Sequence, residues 1–155
     1  MRVKDRPVAA TRIYEVNITG LSHNGEGVGK IKGFTVFVPG AIPGETVLAR
    51  ITEVRSRYAR AALEEIVTRS AHRATPVCPV FGQCGGCQLQ HIDYSRQLEL
   101  KREVVVQALK RIGHLECEVL PVRGMDNPWH YRNKGQFHAG KNDGRVFFGF
   151  FKPGS

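Results

Sequence analysis

Between residues 8 and 69, apolar and β-branched runs are short, and glycine or proline cuts each of them off. Ile13–Ile18 is rich in β-branched residues and favours a strand, although Ile13 and Val16 fall out of phase. Gly20–Lys30 follows with four glycines, which permit positive φ and tight turning. Phe34–Val38 is a short apolar strand closed by Pro39-Gly40, and Pro43-Gly44 marks a second turn. Thr46–Ile51 and Ala61–Val67 supply two further strands. Such a series predicts a mainly β fold, either a small closed barrel, which leaves no free edge, or a small open sheet. Periodicity does not distinguish the two.

Charge narrows the partners. The chain carries a net +9, divided +4 over residues 1–70 and +5 over residues 71–155, so no polybasic tail accounts for it. Basic folded segments of this kind meet phosphate, in nucleic acid or at a membrane surface. The chain has no stretch approaching eighteen apolar residues and no apolar signal region after Met1, so a cytoplasmic location is expected. The charge is densest at Arg50, Arg55, Arg57 and Arg60, four arginines in eleven residues, with Tyr58 among them and Glu53 opposing. Strand alternation pairs Arg55 with Arg57 on one face and Tyr58 with Arg60 on the other. Guanidiniums fork onto phosphates and a tyrosine offers a plane to a base, so these five residues are candidate RNA contacts.

Residues 70–92 read as a loop. A helix is expected over 95–112, with Leu98, Val105, Leu109 and Ile112 as its apolar stripe, Asp93 or Ser95 as cap and Gly113 as stop. Val119–Val122 and Tyr131–Ala139 resemble strands. Phe147-Phe148-Gly149-Phe150-Phe151 is apolar on both faces of any strand and calls for cover on two sides.

The loop holds Cys78-x5-Cys84-Gly85-Gly86-Cys87. In a reducing compartment such cysteines are thiols or metal ligands rather than disulfides. The glycines let backbone N–H groups turn toward thiolates, as anionic clusters require. Three readings stand. A [4Fe–4S] cluster needs a fourth thiolate, a zinc site could recruit His91 four residues after Cys87, and a buried or disulfide-linked group is the third.

Cys78-x5-Cys84-Gly-Gly-Cys87-Gln-Leu-Gln-His91, with Tyr94 and a basic helix beyond, resembles the iron–sulfur motif of the RNA (uracil-5-)-methyltransferases, those acting on 23S ribosomal RNA above all. Residues 8–69, with Gly25–Lys30 and Val38-Pro39-Gly40, resemble the TRAM domain, an OB-like RNA-binding barrel. Trp129–Lys134 resembles the opening of the family's central β domain, and its Arg132 and Lys134 are further candidate RNA contacts. The resemblance implies a barrel at 8–69, a cysteine loop and helix at 70–113, and part of a mixed α/β domain at 114–155. It implies Cys78, Cys84 and Cys87 as cluster ligands, with the fourth cysteine downstream of this chain. Cys117 is expected to be buried as a small hydrophobe instead. The parent is expected to use S-adenosyl-L-methionine: a cysteine adds to C6 of uracil, C5 takes the methyl group, and a base removes the C5 proton. The Rossmann domain, nucleophile and base of that reaction are not in this chain, which is expected to be inactive alone. The alternative is a stand-alone zinc-containing RNA-binding module without catalysis.

Overall fold

A computed structural model describes residues 6–152. Five strands, β1 (Ile13–Leu21), β2 (Gly27–Ile31), β3 (Phe34–Val38), β4 (Thr46–Val54) and β5 (Tyr58–Thr68), close into a barrel of order β1-β2-β3-β5-β4. The closed form is therefore the one adopted. Neighbours run antiparallel except β3 and β5, which pair in parallel through Thr35–Tyr58, Val36–Ala59 and Phe37–Arg60. Inward positions alternate along each strand: Val16 and Ile18, Val36 and Val38, Val47, Ala49 and Ile51, Ala59 and Ala61. Ile13, out of phase with them, is exposed.

The segment read as a glycine turn contains strand β2. Among its glycines only Gly25 has positive φ, at 80°. Gly27 and Gly29 are there for closeness. A Cβ on Gly27 would lie 2.7 Å from the Ala41 carbonyl oxygen, and one on Gly29 would lie 2.4 Å from Val16 Cγ1.

The helix α1 (Tyr94–Arg111) begins one residue earlier than expected. Asp93 occupies the N-cap position without a side-chain hydrogen bond, and Ile112 is the C-cap, which puts Gly113 just past the end. The expected stripe is not the buried one: Val105 and Ile112 are exposed, and the helix buries Leu100 against Ile42 and Ile92. Only its first half docks, with the Gln97 amide donating to the carbonyls of Leu89 and Ile92.

An ion pair reinforces the junction. Arg73 donates from Nε to Glu45 Oε1 (2.5 Å) and from Nη2 to Glu45 Oε2 (2.7 Å) and the Gly40 carbonyl (2.6 Å). Burial pushes the Glu45 carboxyl up, but Arg73 and the Ile42 N–H outweigh it and hold the pKa below its ordinary value. Beyond the helix, neither Val119–Val122 nor Tyr131–Phe137 forms a strand. A hairpin of β6 (His138–Asn142) and β7 (Arg145–Gly149) turns instead at Asp143-Gly144, both residues with positive φ. Phe147, Phe148, Phe150 and Phe151 are all exposed, so the two-sided cover that this tail calls for is incomplete among the described residues.

Candidate nucleic-acid interface

Alternation on β3 and β5 turns Val36, Val38, Ala59 and Ala61 inward and leaves Phe37, Tyr58 and Arg60 outside. The Phe37 and Tyr58 rings meet edge to face, with centroids 5.4 Å apart and planes at 82°. Two half-exposed aromatic rings on the outer wall of a barrel are not needed by its core. Beside them stand three of the predicted cations, Arg55, Arg57 and Arg60, whereas Arg50 lies further along β4, opposite Ala62. Arg55, Ser56 and Arg57 form the tip of the β4–β5 connection, closed by the Arg55 N–H donating to the Tyr58 carbonyl at 2.8 Å. Arg55 and Arg57 are therefore turn residues, not alternating strand positions.

The arginines differ in their partners. Arg60 Nη1 lies 2.6 Å from Oε1 of the largely buried Glu26, which fixes its direction. Arg50 pairs with Glu64 at 2.7 Å and Arg55 with Glu53. Among the described residues no carboxylate pairs with Arg57. The exposed Arg50–Glu64 and Arg55–Glu53 pairs contribute roughly 0–1 kcal/mol each, so a phosphate can compete for those two guanidiniums, whereas the largely buried Glu26 carboxylate holds Arg60 more firmly. Sequence reasoning missed Phe37. Alternation with Val36 and Val38 was the signal that it faces outward.

Two hydrogen bonds tie the cysteine loop onto its own far end: the Cys78 N–H donates to Gln90 Oε1 (3.2 Å) and the Ala74 N–H to the His91 carbonyl (3.0 Å). Cys84 and Gly86 form a small cradle in which the Gly86 N–H points at Cys84 Sγ, 3.4 Å away. That N–H···S contact and three free, accessible or half-accessible thiols fit the donor chemistry of a thiolate-held cluster. Among the described residues, however, no three His, Cys, Asp or Glu side chains are gathered closely enough to hold a metal ion. Cys117 is exposed, contrary to the expectation of burial.

His91 is buried, its ring 5.4 Å from that of Phe81, and among the described residues neither of its nitrogens has a hydrogen-bond partner. Burial, then the nearby Arg73 charge, pushes its pKa down to about 4, against the opposing pull of Glu45. It is not collected with the cysteines as a zinc set would need. Arg132 and Lys134 line a hollow of about 520 Å³ with Tyr131 and Phe150, to which no residue of β3 or β5 contributes. Among the described residues no helix is long and apolar enough to cross a membrane.

Comparison with known proteins fits this layout. The TRAM domain family matches residues 10–63, the span of the barrel up to the middle of β5. A protein of Clostridium tetani described as an uncharacterized RNA methyltransferase is 49% identical over 152 residues, covering 98% of this chain and 33% of that protein. A Bacillus cereus protein of the same description is 46% identical over 144 residues, covering 92% of this chain and 31% of its own. Among solved structures, the Pyrococcus abyssi tRNA (uracil-54, C5)-methyltransferase in complex with S-adenosyl-L-homocysteine is 33% identical. That match covers 68% of this chain and 23% of the other, at a TM-score of 0.43. The chain thus spans about a third of the length of the curated relatives it matches. It carries a TRAM domain and, over nine-tenths of its length, is a homologue of RNA methyltransferases.

Proposed function

We propose that this chain is the RNA-gripping part of an S-adenosyl-L-methionine-dependent methyltransferase that acts on C5 of uridine, in 23S ribosomal RNA. The observation that carries the RNA reading is the outer wall of β3 and β5: an aromatic pair, Phe37 and Tyr58, bordered by Arg55, Arg57 and Arg60. Rings of this kind stack on bases of any sequence, and the guanidiniums take the adjoining phosphates. Uridine C5 as the target is supported by the Cys78–Cys87 motif and by Trp129–Lys134. Methyl transfer itself is assigned to the part of the relatives that this chain does not span.

Cys78, Cys84 and Cys87 would hold a [4Fe–4S] cluster, together with a fourth thiolate from elsewhere. When bound, such a cluster supplies a thiolate-tied crosslink. The chain's own residues prepare for it: the Gly86 N–H faces Cys84 Sγ, and Gln90 fixes the Cys78 backbone.

The test is to purify the full-length parent anaerobically, assay its metal, and follow a labelled methyl group from S-adenosyl-L-methionine into ribosomal RNA. Iron and sulfide in equal amounts and label at C5 of uridine are expected, with no transfer by residues 1–155 alone. Zinc without iron, or methyl transfer by the 155 residues, would overturn the reading.

A further inference from the structure

Beside the cysteine loop lies a groove of about 720 Å³, within the roughly 300–1,000 Å³ typical of small-molecule sites. Its floor is the start of α1 and its far wall the segment 125–132. Two contacts fix that wall. The Met125 N–H donates to the Tyr94 hydroxyl at 2.9 Å. Gly124 also approaches the helix so closely that a Cβ there would fall 2.7 Å from Leu98 Cδ1.

The lining is unlike that of the barrel wall and carries a similar chemistry. Tyr94, Trp129 and Tyr131 supply three rings, and Lys101 and Arg132 supply two cations against one carboxylate, Asp93. Trp129 and Tyr131 stand 44% and 59% exposed, so their faces are available. Arg132 Cζ lies 5.8 Å from the Tyr131 ring centroid, which stiffens that pair. Among the described residues no carboxylate pairs with Lys101 or Arg132. A hydrophobic protein segment would leave both charges without a counter-ion, whereas a nucleotide offers a planar base to the rings and a phosphate to the cations.

The geometry points to this groove as a second RNA seat, which takes one unpaired nucleotide. Its base lies against Trp129 and Tyr131, and its phosphate is held by Lys101 or Arg132. The inference rests on the reading that the chain binds RNA, and it adds a contact made by residues other than Phe37 and Tyr58. Because Cys87 also borders the groove, the seated nucleotide lies next to the cysteine loop.

Trp129 is the chain's single tryptophan, so its fluorescence reports this groove alone. The experiment titrates the 155-residue chain with uridine monophosphate, with a fluorescein-labelled oligouridylate and with inorganic phosphate. It follows Trp129 emission, and the oligonucleotide's anisotropy in parallel. Saturable quenching by the mononucleotide and the oligonucleotide, and none by phosphate, is expected. Tyr131→Ala should weaken the quenching titration about ten-fold, as removal of one stacking partner implies, and Lys101→Gln should weaken it too. Quenching that is identical in both variants would overturn the seat. Oligonucleotide binding by anisotropy with silent Trp129 would overturn the groove while sparing the barrel. No binding by either readout would overturn the RNA reading on which the groove rests.

Discussion

Residues 8–68 gather twelve buried apolar side chains into one cluster, whereas the described residues after them contribute only Ile92 and Leu100 to a second, with Ile42 lent by the barrel. The two regions are held in different ways. In the barrel, alternation of Val, Ile and Ala sets which face is inside, and a slip by one residue would expose the whole set. After it, order depends on an ion pair, a few side-chain hydrogen bonds and close glycine contacts, and most large apolar residues remain exposed. The lesson is that the chemistry-bearing groups sit where packing is thinnest: one thiol, Cys87, three rings and two cations line one groove, and Cys78 and Cys84 belong to the same cysteine loop. Low burial leaves such groups free to meet ligands, and it also makes them sensitive to the clip that ties them to the barrel.

The sharpest way to break this contrast is to cut that clip. Arg73→Met leaves the Glu45 carboxylate buried and unpaired, and should destabilise the chain by about 3–5 kcal/mol in denaturant unfolding. Adding Glu45→Gln to that variant should recover part of the stability. A cost below about 1 kcal/mol, the range of a surface pair, would show that the junction is held by something else.

Core truncation compares the regions directly. Ile51→Ala in the barrel should cost about 2–5 kcal/mol, while Val105→Ala on the helix should stay within about 0.5 kcal/mol. Equal costs would erase the distinction.

A smaller effect separates the two by pH. His91 has an ordinary pKa of 6.5, lowered to about 4 in the folded chain. A depressed folded pKa means that its contribution to stability is complete above 6.5 and drains away as pH falls toward 4. The total change is about 3 kcal/mol at most. Glu45, also lowered from its ordinary 4.5, loses its contribution only below that value, so the windows are distinct. His91→Leu should flatten stability between pH 6.5 and 4.5. A wild-type chain equally stable at pH 7 and pH 4.5 would contradict the assignment.

The barrel was largely legible in the sequence because strand alternation and Pro-Gly turns act locally. Strand β2 was hidden because a glycine read alone signals turning, whereas Gly27 and Gly29 are required by the proximity of Ala41 and Val16, a tertiary fact. The helix was found to within a residue, but its buried side was not. A helix that docks by half its length need not bury its longest apolar stripe, and Leu100 takes the place expected of Val105 and Ile112. The Asp143-Gly144 hairpin carried a readable signal that the strand assigned to Tyr131–Ala139 obscured. For the site, cysteine spacing was plain, but spacing does not determine whether thiols are gathered in space. Phe37 was readable only once the inward phase of β3 was known.

If the outer wall of β3 and β5 grips RNA, a binding titration over several salt concentrations will register the loss of its arginines and its tyrosine. Arg55, Arg57 and Arg60 are changed together to Gln, and Tyr58 separately to Ala, with a ribosomal RNA fragment as ligand. Removing each arginine–phosphate pairing should flatten the logarithmic salt dependence by about 0.7–0.9 of a unit and weaken binding to all sequences alike. Tyr58→Ala should cost about 1–3 kcal/mol with little change in salt slope. Affinity and slope both unchanged in the triple variant would contradict the account and reduce the arginines to a solvated turn.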